Sequence, residues 1–330
     1  GGASNLIVPT LANGKNYYIK NSSTTAITVK TASGSGILVP TLKSASLYQD
    51  GTNVVEAADF STSYTINTLT TTNDAVINGL TVGKGANAVA TNTVLGDDAL
   101  DAAVTGGSNV AVGYQSLTAN TSGASNTAVG RESLSANTTA DQNTAVGMYA
   151  LRQTSTGGNN VAMGYASLLT NTTGIGNVAL GHNSLYASTT SSNNTALGTN
   201  ALVANTTGAA NTALGSGALD TNTTGATNTA VGYLSSFTNL SGTNNVSVGQ
   251  RSLYSNTTAD DNVAVGKESL YANTTGTSNT AVGTNALAAN TTGTNNVAIG
   301  ESAALAATTS TGNVIIGQDA VKTGTFVGFN

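Results

Sequence analysis

Three carboxylates close together in the chain, Asp97, Asp98 and Asp101, and a second pair, Asp260 and Asp261, are the residues whose type and spacing could do chemistry. Two carboxylates several ångströms apart cleave glycosidic bonds, one protonating the leaving oxygen while the other acts as base or nucleophile. Both groups stand at positions that vary along the chain, where solvated charge is the ordinary explanation. No catalytic residue is assigned, and the chain is not expected to be an enzyme. His182 is the only histidine and there is no cysteine, so imidazole and thiolate cannot assemble a transition-metal site. Calcium needs only oxygen ligands, but neither an EF-hand loop nor a G-G-x-G-x-D repeat accompanies the Asp97 group. The sequence therefore implies no metal and no cofactor.

The elements that position these residues come from a repeat. Glycine recurs every 17 residues at Gly96, Gly113, Gly130, Gly147, Gly164, Gly181, Gly198 and Gly215, and on to Gly317 in one register. Four residues before each glycine stands Asn, from Asn92, Asn109, Asn126 and Asn143 to Asn313. Immediately before the glycine the residue is always apolar, as at Leu95, Val112, Val129 and Val146; four after it Leu recurs, as at Leu117, Leu134, Leu168 and Leu202. These two apolar columns are expected to be the core. The Leu column is broken only by Ser236, Ala304 and Val321. Ala dominates two before the glycine and only Ala or Ser stands three after it, a restriction that implies close packing. Positions one, two and five after the glycine vary freely and should face solvent.

Seventeen residues are too few for two helices and a turn, but fit short strands and tight turns. The N-[TV]-A-[VLIM]-G segment reads as a strand, with the residues one and three before the glycine on one face and Ala on the other. The S/A-L-x-A segment reads as a second strand and N-T-T-G as a turn. Glycine is expected at positive φ, a region Asn also tolerates. Stacked about 4.8 Å apart, the Asn side chains can form an amide ladder along the axis. Each 17-mer is then one coil of a parallel β-solenoid, stable only through its neighbours.

Residues 1–60 do not follow the period. LIVPT, YYIKN, AITVKT, GILVPT and SASLYQ, with turn signals at Asn13-Gly14 and Asp50-Gly51, read as a small antiparallel β-module. A Thr-rich connector over 61–82 leads into a shaft of about 14 coils over 83–330. A short first step at Thr81-Val82-Gly83 suggests an atypical capping coil, and Phe326 and Phe329 could cover the last one. The fold class is all-β.

With only 8% charged residues and a net charge of −5, the chain has no basic footprint for nucleic acid. No apolar run of about 18 residues is present to insert into a membrane. The start GGASN carries neither an initiator Met nor a signal-peptide pattern, as expected of a processed chain or a piece of a longer one. The N-T-[ST] sequons at Asn120, Asn137 and Asn290 read as turn chemistry, and Thr concentrated in those turns is a poor flat template for ice. Tyr114, Tyr165, Tyr186, Tyr233, Tyr254 and Tyr271 stand in outward columns, where packing is favoured over stacking on sugars.

The repeat N-T-A-V-G-x-x-[SA]-L-x-A-N-T-T-G resembles the S-V-A-I-G-x-x-A head repeats of trimeric autotransporter adhesins, whose coil is shorter. It is also similar to the 17-residue repeats of bacteriophage fibre proteins, particularly those of marine and cyanobacterial tailed phages. L-I-V-P-T-L-A-N-G-K-N-Y-Y-I-K-N through D-G-T-N-V-V-E-A is similar to a small β-module of phage fibre and tail proteins, often followed by I-N-G-L-T-V-G-K-G as at Ile77 to Gly85. The resemblance implies a left-handed β-roll, a homotrimer, and a structural fibre of a tailed phage virion, most simply a tail fibre supporting host-cell attachment. Its partners would be other virion proteins and, through a distal region, a host receptor or glycan. A bacterial surface adhesin of the trimeric autotransporter type is the alternative.

Overall fold

The computed structural model describes residues 74–77 and 80–322, together with the strand segments 4–8, 16–20, 26–31, 36–39, 44–49 and 54–56. The turns at Asn13-Gly14 and Asp50-Gly51, residues 61–73 of the expected connector, and Phe326 and Phe329 lie outside the described residues. The chain divides into two units, Gly1–Thr70 and Thr71–Asn330.

The first unit holds strands β1 (Ser4–Val8), β2 (Asn16–Lys20), β3 (Ile27–Thr31), β4 (Gly36–Val39), β5 (Ser44–Gln49) and β6 (Val54–Glu56), in two three-stranded sheets ordered β1-β3-β4 and β2-β5-β6. The pairs β3–β4, β2–β5 and β5–β6 are antiparallel as expected, but β1–β3 is parallel. The reason is topological. Because β2 joins the other sheet, the chain returns to β1 in its original direction.

The second unit is a parallel β-solenoid. After β7 (Ala75–Ile77) and β8 (Leu80–Gly83) come fourteen three-residue strands, from β9 (Thr93–Leu95) and β10 (Val110–Val112) to β22 (Val314–Ile316), joined in chain order into one 16-stranded sheet. Each strand pairs in parallel with the equivalent residues one coil on, as Ala111 with Ala128 and Val112 with Val129. The entry at Thr81-Val82-Gly83 is not a further parallel coil: β7, β8 and β9 pair antiparallel and form a cap. The Asp74 carboxylate fixes that cap, accepting hydrogen bonds from Lys84 N and Gly85 N at 2.7 Å each. Strands β7 and β8 therefore place the start of the solenoid sheet inside the segment expected to be a connector.

Two expectations about the coil need correction. The S/A-L-x-A segment is not a second strand but part of a run of turns, because left-handed backbone occurs both just before it and within it, as at Gln115 (φ 54) and Leu117 (φ 52). These turns still bond across coils, with Leu117 N donating to Ser133 O and Ala119 N to Ser135 O, both at 3.1 Å. The Asn column is not at positive φ either; the residue before it is, in the left-handed region, as at Ser108 (φ 61) and Ser125 (φ 58).

The core is also differently composed. Leu117, Leu134, Leu168 and Leu202 are fully buried, but their partner column is the strand alanines Ala111, Ala128 and Ala145, also fully buried. Val112, Val129 and Val146, expected in the core, are half-buried on the opposite face, and Met163 in the same column is 42% exposed. A strand presents alternate residues to alternate faces, so one of the two sets must point outward. Opposite the buried Leu column the inner coils take the small Ala side chain, or Ser247, and larger inward residues, Val94 and Ile315, occur in the first and last coils.

Candidate functional site

The column glycines have φ between +125° and +155°. A Cβ on Gly198 would stand 2.7 Å from the carbonyl carbon and oxygen of Gly215, so the next coil's backbone occupies the space of a side chain. Asn92, Asn109, Asn126 and Asn143 begin an unbroken buried ladder. The Asn109 Oδ1 accepts from Asn126 N at 3.0 Å and from Asn126 Nδ2 at 3.2 Å, while its own Nδ2 donates to Gly123 O at 2.9 Å. The same main-chain bond recurs up to Asn313 N on Asn296 Oδ1 at 3.1 Å.

A second ladder escaped the sequence reading. The Asn of N-T-T-G, read as turn chemistry, is fully buried at Asn120, Asn137 and Asn290. Asn137 Nδ2 donates to Asn120 Oδ1 at 2.8 Å and Asn290 Nδ2 to Asn273 Oδ1 at 2.8 Å. The signal was present as a near-constant Asn, but a turn preference explained it equally well. The first Thr of the turn also bonds along the axis, Thr138 Oγ1 donating to Ser155 O at 3.1 Å.

The candidate acidic residues lie in the connections between strands. Asp97, Asp98 and Asp101 are exposed, and Asp98 accepts from Gln115 Nε2 at 3.3 Å. Asp260 Oδ1 accepts from Thr243 N at 2.6 Å and Thr243 Oγ1 at 2.9 Å, tying two coils, and Asp261 accepts from Asn244. His182 stacks on Tyr165 at 5.2 Å. Phe237, Tyr254 and Tyr271 form a second stack with centroids 5.4 and 5.2 Å apart, each ring lying against the ring of the next coil. Tyr114 and Tyr233 stay 41% and 51% exposed.

One extended surface remains. The strand face opposite the alanines carries the half-buried valines together with Leu197, Leu214 and Ile299, each nearly 40% exposed or more. No family, curated protein or solved structure matches the chain. The solenoid is a repeated coil with a buried, hydrogen-bonded interior and one aliphatic stripe running along the strand stack.

Proposed function

We propose that the chain is the shaft of a homotrimeric viral fibre, a structural rather than catalytic protein of a tailed phage virion, with tail fibre as its most economical assignment. The observation that carries the reading is the aliphatic stripe. At roughly 50 Å² of exposed apolar surface per coil, fourteen coils present on the order of 700 Å², more than a soluble monomer ordinarily leaves to water and close to one partner's share of a standard interface. Three parallel copies packing these stripes together would cover them, while the buried ladders hold each chain's coils in register. The shaft's work is mechanical: it holds a receptor-contacting end away from the particle, and its sparse charge limits nonspecific adhesion. Handedness and the viral setting rest on the sequence resemblance.

The test is immunogold electron microscopy with antibody raised against the full chain, applied to virions mixed with host cells. Gold on fibres projecting from virions is expected, and its position distinguishes tail from head. Gold confined to the envelopes of uninfected cells overturns the viral reading in favour of a bacterial surface adhesin.

A further inference from the structure

The solenoid's outward turn columns vary from coil to coil, and the coils beginning at Gly130 and Gly147 bring two cations, a carboxylate and an aromatic ring together there. Arg131 and Arg152 flank a single carboxylate, Glu132, which accepts from Arg131 Nε at 3.2 Å and from Arg152 Nη2 at 2.7 Å. The Glu132 side chain is only 10% exposed, while those of Arg131 and Arg152 are 55% and 45% exposed. Tyr149 lies between the two guanidiniums, 5.9 Å from Arg131 Cζ and 5.0 Å from Arg152 Cζ. Arg131 also lies 5.8 Å from the Tyr114 ring.

Two cations share one anion, so the cluster has a positive excess on a chain whose net charge is −5. Surface ion pairs contribute little stability, and the Asn ladders already tie these coils together, so the fold does not require the arrangement. What the arrangement achieves is preorganisation. Stacking and the buried carboxylate hold two planar guanidiniums in place, and their remaining N–H groups are accessible to an anion. Beside them is a concavity of about 370 Å³ that brings Gln115, Thr118, Ser135 and Gln153 alongside Glu132 and Arg152. Neutral amides and hydroxyls suit the hydroxyls of a sugar, and the depression is open to solvent, as a saccharide bound along a surface requires.

We infer that Arg131, Glu132, Tyr149 and Arg152, with the amides of Gln115 and Gln153, form a binding site for an acidic saccharide, its acid being a carboxylate or a phosphate. The guanidiniums take the acid group, the concavity takes the ring hydroxyls, and Tyr149 supplies the apolar flank. The site lies in the columns after the glycine, not on the strand stripe. It therefore does not depend on the trimeric fibre reading, and the two fail separately.

Isothermal titration of the full chain with trigalacturonate, glucose 6-phosphate, maltotriose, acetate and inorganic phosphate tests the proposal. Trigalacturonate or glucose 6-phosphate should bind, whichever carries the preferred acid, and maltotriose should not. Arg152→Gln should weaken binding at least tenfold, and Arg152→Lys, which keeps the charge but loses the fork, should fall between. Lys267→Gln, which removes an equal charge from an exposed side chain elsewhere, should leave affinity unchanged. Circular dichroism establishes that each variant is folded. Absence of binding by both acidic sugars overturns the proposal, as does equal binding of maltotriose, of acetate or of inorganic phosphate, or an equal loss in Lys267→Gln.

Discussion

Asn120 and Asn137 bond to each other along the axis, but Asn137 has no Asn above it: the next coil places Thr154 there, and the Asn137 Oδ1 is buried without a partner. The same happens at Asn171, followed by Ser188, and at Asn290, followed by Ala307. Among the described residues, the unpaired buried carbonyls of this column thus fall where the second ladder is interrupted. Thr154→Asn should repair one break, donating to Asn137 Oδ1 and accepting from Asn171 Nδ2, which now reaches Thr154 Oγ1 at 3.4 Å. The expected gain is about 1 kcal/mol in denaturant unfolding; an unchanged or lower midpoint would refute the ladder account. Gly198→Val should act in the opposite direction, because φ +136 and the Gly215 carbonyl leave neither conformation nor room. A loss of roughly 3 kcal/mol or more is expected, and an unaltered melting temperature would contradict it. The glycine requirement was legible from its invariance in the repeat. The left-handed backbone of the Leu column was not recognised, although one clue was available: Leu recurs there, and the one β-branched residue, Val321, stands in the last coil, as suits a conformation that disfavours β-branching.

At the scale of the coil, the strand N-T-A-V-G could be read directly because three β-branched or apolar residues alternate around Ala, yet the inward face was assigned wrongly. Hydrophobicity pointed to Val112, Val129 and Val146, whereas interior volume selects Ala111, Ala128 and Ala145. The distinguishing sign was variability: Val, Leu, Met and Ile exchange freely in the outward column, while Ala is nearly fixed. The coils also differ in how well they pack. One continuous core runs from Val94 to Ala230 and a second begins at Leu253. Between them Ser236 replaces the core Leu and Ser247 the core Ala, and their hydroxyls meet at 2.8 Å, with Ser235 Oγ 2.7 Å from Ser247 Oγ. Buried hydroxyls satisfy one another there, but contribute none of the apolar burial of a Leu on Ala. Hydrogen exchange should therefore show two cooperative blocks of amides meeting at this coil. The double variant Ser236→Leu with Ser247→Ala should merge them and raise stability by about 2 kcal/mol. A single exchange block in the unaltered chain would show that the serine cluster does not divide the core.

For the molecule as a whole, the sequence conveyed low charge and strict periodicity but not what covers the strand stripe, since a half-buried valine looks the same in a monomer's core and at a subunit interface. The proposed trimer is argued from the resemblance in the sequence and from the length of the exposed apolar face. That face can be altered without touching the interior. Val129 and Val146 point away from the fully buried Ala128 and Ala145, so Val129→Lys combined with Val146→Lys adds two charges outside the coil and leaves its core and ladders unchanged. If three stripes pack together, six ammonium groups would meet in one apolar seam, which costs far more than the contacts there contribute. Light scattering coupled to size-exclusion chromatography should then give three chain masses for the unaltered protein and one for the variant, with circular dichroism unchanged. A variant that stays trimeric would move the interface to another face. An unaltered chain with the mass of a single copy would overturn the trimer, because the stripe would then be exposed to solvent along its whole length without a second or third copy to cover it.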